Sequence, residues 1–527
     1  MTLTHLPADP AELLSGLDPE QQAVAESISG PVVVMAGAGT GKTRAITHRI
    51  AYAVAMGRHD PAKTLAVTFT NRAAGEMSRR LAGLGVAGVR VRTFHSAALR
   101  QLRWAWPQAI GGEMHDVIAS KSSLVASAAS QLRLGSDFAT VRDLATEIEW
   151  AKVMQVGPAE YAGVASLHGR KGPGGLTVEQ AGEVYEGYER LKRSAGRIDF
   201  EDVLLLTVGV LEDRQDLRQQ VQNSFAHFTV DEFQDVSAVQ QRLLQVWLGD
   251  RDDVCVVGDV AQTIYSFAGA DPSHLLQFGN QFDNTTVVSL ARCYRCTPQI
   301  VQVAEDVLAD GVVSAQLLAT TKARRVPLRS QVGDGPAPRV VQYADEPSEA
   351  VAVVSQIRKL IAAGTPPREI AILVRINALT EQFEAALADA GIAYSVRGGR
   401  RFFDRPEVRK GVSLLRGAAR GAADIGQAPD DPITLVRAIL SAAGWSEKPP
   451  TGTGAVREAW ESLAALVGLC DEVVAADSSA GLNEIIREIA RREEVQDAPS
   501  VDGVTLASLH AAKGMEWDAV FLVGLVD

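Results

Sequence analysis

Short apolar runs and amphipathic segments alternate along the first part of the chain. Runs typical of buried strands occupy residues 31–35, 64–68, 89–92, 227–230 and 254–257, and helical spacing of apolar positions separates several of them. Strands that alternate with helices favour a parallel sheet covered by helices. The pattern therefore predicts an α/β domain.

This alternation stops between about residues 101 and 197. Ala, Leu, Ser and Glu dominate there, and apolar positions follow helical spacing, most clearly at 141–152 and 178–192. The glycines of residues 169–175 predict a loop. We interpret the segment as a helical insertion in the first α/β domain.

A second α/β pattern begins near Thr286, and its strand-like runs are 287–290, 339–343, 370–374, 394–396, 504–509 and 519–525, with helices at 349–363 and 380–390. The stretch from 402 to about 500 is again mainly helical in its spacing. At 527 residues the chain exceeds one ordinary core. The predicted domains are a first core of residues 1–100 and 196–285 with an insertion of 101–195, and a second core of 286–400 and 501–527 with an insertion of 401–500.

Composition narrows the class of protein. Hydrophobic residues make up 46% and charged residues 22% of the chain, as in water-soluble globular proteins. No apolar run approaches the length of a membrane span, so the sequence predicts a cytoplasmic protein without a membrane partner. The net charge of −12 argues against polyanion binding by the whole surface, but basic runs at 72–103, 190–197 and 397–410 leave a local nucleic-acid groove open.

The four cysteines are too few for a disulfide framework. Cys293 and Cys296 form a single C-x-x-C, which without a second pair is weak evidence for zinc or redox chemistry. We interpret them as two ordinary thiols, with a metal or redox role as the alternative.

The segment 36–43, AGAGTGKT, follows the apolar run 32–35 and precedes a helical stretch. Strand, glycine loop and helix in this order are what a phosphate-binding loop requires, since small residues let backbone N–H groups approach phosphate oxygens. Lys42 would reach the β- and γ-phosphates of ATP, and the Thr43 hydroxyl would bind Mg²⁺. The alternative is a glycine-rich turn without a ligand. The predicted nucleotide-binding residues of this loop are Ala38, Gly39, Thr40, Gly41, Lys42 and Thr43.

Two adjacent carboxylates, Asp231 and Glu232, follow the strand-like run 227–230. Such a pair at the carboxyl end of a strand suits a nucleotide site on an open sheet. Successive side chains of a strand diverge, so the two can differ in role. Asp231 would hold Mg²⁺, directly or through water, and Glu232 would activate the attacking water.

Seven further segments follow one another along the chain as possible motifs: 17–21, 68–74, 93–96, 199–202, 258–267, 294–295 and 510–517. Their order resembles that of superfamily 1A DNA helicases of the UvrD/PcrA/Rep type. One such segment alone is weak evidence, but a series in this order is specific.

The resemblance implies two RecA-like domains, each with a helical insertion, in the 1A/1B/2A/2B arrangement. It implies an ATP- and Mg²⁺-dependent helicase that moves 3′ to 5′ on single-stranded DNA and acts in repair or replication. Its expected partners are single-stranded DNA, 3′-tailed or forked duplexes and repair proteins. The alternatives are a hydrolysis-impaired module that binds ATP and DNA, and the motor subunit of a recombination helicase-nuclease.

The resemblance also assigns residues to the nucleotide. Gln21 would contact the adenine edge, Arg44 and Tyr294 would sandwich the base, and Glu516 would lie on the ribose side. Gln262 would sense the γ-phosphate, because its amide both donates and accepts hydrogen bonds. Arg295 would be an arginine finger that reaches the phosphates from the second α/β domain. The predicted catalytic residues are Lys42, Asp231, Glu232, Gln262 and Arg295.

Aromatic residues in or just after the motif loops are candidates for stacking on unpaired bases, with core packing as the alternative. Polar residues in the same motifs are candidates for phosphate or sugar contacts. The predicted DNA-binding residues are Phe69, Phe94, Tyr265 and Phe267 for stacking, and Asn71, Arg72 and His95 for the backbone.

The sequence departs from the family pattern in places. Phe267 stands where the family usually has Trp, Cys293 where it has Asn, and Cys296 where it has Ser or Thr. The short segment 402–500 suggests a divergent actinobacterial paralogue. The chain stops soon after 510–517, without the family's next motif and its arginine, so we expect a truncated chain with an incomplete second core and weakened activity.

Overall fold

The computed structural model describes residues 9–309, 326–397, 402–425, 431–448, 450, 455–476, 480–495 and 503–526. The chain forms two compact units, Met1–Pro338 and Arg339–Asp527. Within the described ranges, no helix combines the length and the apolarity that crossing a bilayer requires.

The first unit is built on a six-stranded parallel sheet and has two further pairs of short strands. The strands of the unit are β1 (Val32–Ala36), β2 (Thr64–Thr68), β3 (Arg90–Thr93), β4 (Asp116–Val117), β5 (Arg197–Ile198), β6 (His227–Val230), β7 (Val254–Gly258), β8 (Thr286–Leu290), β9 (Arg292–Cys293) and β10 (Arg329–Ser330). The order in the main sheet is β3-β2-β6-β7-β1-β8, while β4 pairs with β5 and β9 with β10. Strands β1, β2 and β7 are buried along their whole length, which explains their unbroken apolar runs.

Helices cover this sheet and form the insertion. They are α1 (Pro10–Ser15), α2 (Pro19–Glu26), α3 (Lys42–Ala55), α4 (Asn71–Gly83), α5 (Phe94–Ala109), α6 (Ser122–Gln131), α7 (Phe138–Val153), α8 (Pro158–Leu167), α9 (Val178–Ser194), α10 (Phe200–Asp213), α11 (Gln215–Ser224), α12 (Ala238–Leu248), α13 (Ser273–Phe278) and α14 (Pro298–Ala309). The insertion helices α6–α9 have a core of their own around Trp150, Tyr161 and Tyr188. The predicted domain boundary at residue 100 falls inside α5, so the insertion does not begin at a helix end.

A buried charged cluster joins the insertion to the sheet-covering helix α10. The ammonium groups of Lys152 and Lys192 each contact the carboxylates of Glu189, Asp199 and Asp202 at 2.6–3.0 Å. Burial alone would lower the pKa of Lys152, but the three carboxylates raise it above its ordinary value. The cluster therefore stays ionised, and removing either lysine would leave buried carboxylates uncompensated.

Strand β8 corrects the predicted domain boundary. The sequence assigns residues from 286 onward to the second core, but β8 pairs with β1 over its whole length, from Val32 beside Thr286 to Ala36 beside Leu290. The first unit therefore continues to Pro338. The strand predicted at 339–343 is also wrong, because that segment has no regular secondary structure.

The second unit has a four-stranded parallel sheet with the order β12-β13-β11-β14. Its strands are β11 (Ile370–Val374), β12 (Tyr394–Arg397), β13 (Val504–Ser508) and β14 (Ala519–Leu522), and its helices are α15 (Glu346–Ala362), α16 (Thr380–Asp389), α17 (Pro406–Ile425), α18 (Pro432–Ala443), α19 (Ala455–Ala476) and α20 (Leu482–Val495). Helices α17–α20 pack around Leu415, Leu440, Leu466 and Ile489, apart from the sheet's own core. The strands and helices predicted at 349–363, 370–374, 380–390, 394–396, 504–509 and 519–525 are thus present, and the predicted boundary at 400–401 lies outside the described residues.

Candidate nucleotide site and nucleic-acid face

The phosphate loop connects the carboxyl end of β1 to the start of α3. Gly39 and Gly41 have φ of 72° and 79°, in the left-handed region that favours glycine. The Thr40 hydroxyl donates to the Gly37 carbonyl at 2.8 Å and closes the loop. The first turn of α3, which starts at Lys42, has no side-chain cap for its backbone N–H groups, and an uncapped helix start of this kind is a site for an anion.

Atoms of neighbouring residues occupy the space that a side chain at either glycine would need. A Cβ on Gly39 would lie 2.7 Å from the Cβ of Arg295 and 2.9 Å from the Sγ of Cys293. A Cβ on Gly41 would lie 2.5 Å from the Gln21 side-chain nitrogen. All three distances are below ordinary contact, and together with the positive φ of both residues they favour glycine at these two positions.

Lys42 lies at the first position of α3, among carboxylates. Its ammonium is 3.2 Å from a Glu232 carboxylate oxygen, and the Lys42 side chain is 13% exposed. Burial alone would lower the pKa of Lys42, but Glu232, Asp231 and Asp259 together raise it. The lysine is therefore a fixed positive charge at the loop, as phosphate binding requires.

Glu232 has a strained backbone. It lies just after β6 and has φ of 54°, which non-glycine residues rarely adopt. Its N–H donates to the Asp231 carboxylate at 2.9 Å, and the Gln234 side-chain amide donates to the Glu232 carboxylate at 2.5 Å. These bonds hold the conformation and aim the carboxylate at Lys42.

A hydrogen-bonded path leads from this carboxylate to Gln262. The carbonyl oxygen of the fully buried Gln234 side chain accepts the Asp259 N–H at 3.1 Å, and the Gln262 amide donates to the Asp259 carboxylate at 2.9 Å. The loops after β6 and β7 are thereby linked. Neither Gln234 nor Asp259 was predicted as a site residue, because their roles depend on contacts between separate strands.

Residues predicted for adenine lie beside the same loop. The Gln21 amide donates to the Thr40 carbonyl at 3.0 Å. The exposed Arg44 guanidinium donates to the Gly16 carbonyl, and the Tyr294 hydroxyl donates to Asp18 at 2.7 Å. Arg44 and Tyr294 thus both bond to the short segment that leads into α2.

Glu20 was missed by the sequence analysis. Its carboxylate accepts the N–H groups of Ala291 at 2.8 Å and Arg292 at 3.4 Å, residues about 270 positions away in sequence. These bonds tie α2 to the segment that carries Tyr294 and Arg295. No local pattern could reveal such a distant partner.

The location of Arg295 also differs from the prediction. The sequence places it in the second α/β domain, but the structure places it in the first unit, two residues after β9 and against Gly39. The cause is the pairing of β8 with β1, which brings the following segment to the phosphate loop. Glu516 belongs to the second unit, where it is exposed in the loop between β13 and β14.

Three aromatic side chains form a surface that we call the aromatic face: Phe69 after β2, and Tyr265 and Phe267 after β7. The Phe69 and Tyr265 rings stack with centroids 4.9 Å apart, and Phe267 lies 6.3 Å from Tyr265. Phe69 is 39% and Phe267 52% exposed. A half-buried Tyr265 that holds the exposed rings of Phe69 and Phe267 on either side, in the loops after two strands, suits contact with unpaired bases.

The start of α4 adjoins Phe69 in sequence. Asn71 and Arg72 are exposed in its first turn, and the Thr70 hydroxyl caps the helix by accepting the Ala73 N–H at 3.1 Å. An exposed helix N-terminus with a cation suits a backbone phosphate.

The prediction for Phe94 is wrong. Its side chain is 5% exposed and stacks on Trp247 in the core, with centroids 5.8 Å apart, so it cannot stack on a base.

His95 stacks on Phe200 with ring centroids 3.8 Å apart, and its Nε2 is buried. Burial and the nearby Lys121 lower the pKa of His95 to about 4. The imidazole is neutral at pH 7 and adds no charge for a phosphate.

The sheet with its glycine loop, the adjacent lysine and the paired carboxylates defines a P-loop nucleotide hydrolase. The model of the UvrD/REP helicase N-terminal domain matches residues 17–283, and that of the UvrD-like helicase C-terminal domain matches 288–425 and 437–527. The chain belongs to this helicase family and is an ATP-dependent DNA helicase.

Relatives agree with this membership. The chain is similar to the "ATP-dependent DNA helicase UvrD2" of Mycobacterium tuberculosis and that of Mycobacterium bovis, with 46% identity over 98% of the chain and 73% of each relative. It is 30% identical to the "ATP-dependent DNA helicase PcrA" of Bacillus subtilis over 87% of the chain and 59% of that relative.

Proposed function

We propose that the chain is a motor that moves 3′ to 5′ along single-stranded DNA and unwinds 3′-tailed or forked duplexes, in DNA repair or replication. The observation that carries the coupling of ATP to DNA is the hydrogen-bonded path from Lys42 to Gln262. Tyr265 of the aromatic face lies three residues after Gln262 in the sequence. Support for the polarity comes from membership of the family.

The residues around the loop fit ATP and Mg²⁺. The glycine-containing loop at the start of α3, with Lys42 beside it, suits the triphosphate. Thr43 and Asp231 offer hydroxyl and carboxylate oxygens, the donors that Mg²⁺ prefers. When bound, Mg²⁺ would neutralise charge on the β- and γ-phosphates.

The side chains have separate roles in hydrolysis. Lys42 would leave Glu232 for the phosphates, which frees that carboxylate to take a proton from the attacking water. Arg295 would add positive charge in the transition state. Gln262 would hydrogen-bond to the γ-phosphate and shift when that phosphate is lost. The side chains of Asp259 and Gln234, which are hydrogen-bonded in series with Gln262, would shift as well.

For the nucleoside, we propose Gln21 on the adenine edge, Arg44 and Tyr294 on the base faces, and Glu516 on the ribose side. The contacts of the first three with the loop and with the segment before α2 support this assignment. For DNA, we propose the aromatic face for bases, with Asn71 and Arg72 for phosphates.

A strand-displacement assay tests the polarity. One duplex carries a 3′ single-stranded tail and a matched duplex carries the same tail at its 5′ end. We expect ATP-dependent displacement only from the 3′-tailed duplex, and ATP hydrolysis that rises with single-stranded DNA. Displacement from the 5′-tailed duplex alone would refute the polarity, and hydrolysis that ignores DNA would refute the motor.

A further inference from the structure

Two cysteines flank the residues proposed for adenine and for the γ-phosphate. Cys293 ends β9, Cys296 comes just before α14, and Tyr294 and Arg295 lie between them. The Cys296 N–H donates to the Cys293 sulfur at 3.5 Å, and the Cys296 thiol donates to the same sulfur. The turn therefore holds the two sulfurs side by side.

The pair differs from the other two cysteines in reactivity. Hydrogen bonds from the Cys296 thiol and from nearby backbone N–H groups, with the charge of Arg295, outweigh burial and lower the pKa of Cys293 to about 5. Burial raises the pKa of Cys255, and it raises that of Cys470 to about 12. A thiolate is the reactive form of cysteine, so among the four cysteines the pair that contains Cys293 is the one suited to oxidation.

Access to the pair comes through Cys296. This residue is partly exposed, whereas Cys293 is 1% exposed and lies against Gly39. An oxidant from solvent therefore meets Cys296 first, and Cys293 lies behind it as a second sulfur ready to react.

We propose that Cys293 and Cys296 are a modification site at which a hydroperoxide forms a reversible disulfide, and that this disulfide stops ATP hydrolysis. The effect on hydrolysis rests on the proposed function; formation of the disulfide does not. Oxidation of these two cysteines would stop the motor by changing its nucleotide-binding site.

The chemistry balances in two steps. The Cys296 thiol gives its proton to the hydrogen-bonded Cys293 thiolate, and the Cys296 sulfur attacks the hydroperoxide. The O–O bond breaks, and the departing alkoxide takes the proton back from Cys293, which leaves a sulfenic acid on Cys296, an alcohol and the Cys293 thiolate. The Cys293 thiolate then attacks the Cys296 sulfur, the S–S bond forms, and hydroxide leaves and takes a proton to become water. One thiol and one thiolate are oxidised to the disulfide, one hydroperoxide is reduced to an alcohol, and the solvent supplies the proton that turns hydroxide into water.

The packing around Gly39 explains the loss of activity. The Cys293 sulfur and the Arg295 Cβ both lie in contact with this glycine, where a single added carbon has no room. A covalent bond is much shorter than a hydrogen-bonded contact between sulfurs, so closing the ring must move the turn that holds Tyr294 and Arg295. Displacing catalytic groups by about 1 Å can lower rates about 100-fold.

The experiment treats the whole chain with cumene hydroperoxide and follows two readouts. Mass spectrometry detects a peptide that joins Cys293 to Cys296, with the loss of two hydrogens. DNA-stimulated ATP hydrolysis is measured before treatment, after treatment and after dithiothreitol. We expect the joined peptide, a fall in rate of about 10- to 100-fold, and recovery with the reductant.

Two variants serve as controls. Cys296→Ser should keep its basal hydrolysis and resist the oxidant, whereas Cys470→Ser should remain sensitive. Absence of the joined peptide, full hydrolysis in the joined form, or equal inhibition of Cys296→Ser would overturn the proposal. If the reduced chain hydrolyses no ATP, the proposed helicase function is refuted, but the proposal about the disulfide is still testable. In that case, the affinity of a fluorescent ATP analogue is measured for the reduced and for the disulfide-joined chain, and equal affinities would reject the proposal about the disulfide.

Discussion

The phosphate loop and the aromatic face lie at the carboxyl ends of strands of one sheet, yet they are built differently. Around the loop, Gly39 and Gly41 have no room for a side chain, and Glu232 is held in a strained conformation. The aromatic face consists of Phe69 stacked on the half-buried Tyr265, with the exposed ring of Phe267 tilted beside them. The phosphate loop is therefore shaped for one ligand in one position, whereas the aromatic face accepts many bases, because every base has a flat face to stack on.

The largest expected effect separates the two regions. Glu232→Gln keeps the size of the side chain but removes the proposed base, so hydrolysis should fall by about 10²–10⁴-fold. Binding to single-stranded DNA should persist, because the aromatic face is untouched. Steady-state ATPase assays and fluorescence anisotropy with labelled DNA measure the two properties. Unchanged hydrolysis would reject the role of Glu232.

A steric change tests the tightness of the loop. Gly39→Ala places a carbon against Arg295 and Cys293, so we expect hydrolysis to fall by about 10- to 100-fold. Gly57→Ala is the matched control, since Gly57 also has positive φ but no neighbour within 4 Å of an added Cβ. Equal losses in both variants would show that backbone strain, and not the close packing, is responsible.

Truncation on the aromatic face should weaken DNA binding by a smaller factor. Tyr265→Ala should lose about 1–3 kcal/mol of binding free energy to single-stranded DNA, while Tyr265→Phe should bind normally. Phe94→Ala is the contrasting core variant. It should lower the free energy of unfolding by about 3–5 kcal/mol. Anisotropy titrations and urea unfolding distinguish the two, and a DNA-binding defect in a stable Phe94→Ala protein would restore the original prediction for Phe94.

The smallest expected effect concerns pH. Because the pKa of His95 is about 4 in the folded chain and about 6.5 unfolded, the unfolded state takes up its proton first as pH falls. Stability should therefore decrease between pH 6.5 and 4, by about 1–2 kcal/mol for this residue at pH 5. Urea unfolding of the parent and of His95→Asn at pH 7 and pH 5 measures the difference. Parallel losses in both proteins would assign the pH dependence to other groups.

Much of the fold was predictable because its signals are local. Buried strands such as β1 and β7 are unbroken apolar runs, and the loop with Lys42 needs only its own sequence to be found. The same holds for Asp231 and Glu232, which follow a strand directly. These features depend on neighbours within a few residues, where spacing and residue type are informative.

The amino-acid sequence alone is enough to identify the helicase family, the phosphate loop and most of the strands and helices. The folded chain was needed to show that β8 joins the first sheet, that Glu20 holds the segment bearing Arg295, and that Phe94 is in the core. These three outcomes depend on contacts between residues far apart in the chain. Hydrophobic periodicity shows that a strand or ring will be buried, but which partner buries it depends on how the whole sheet assembles.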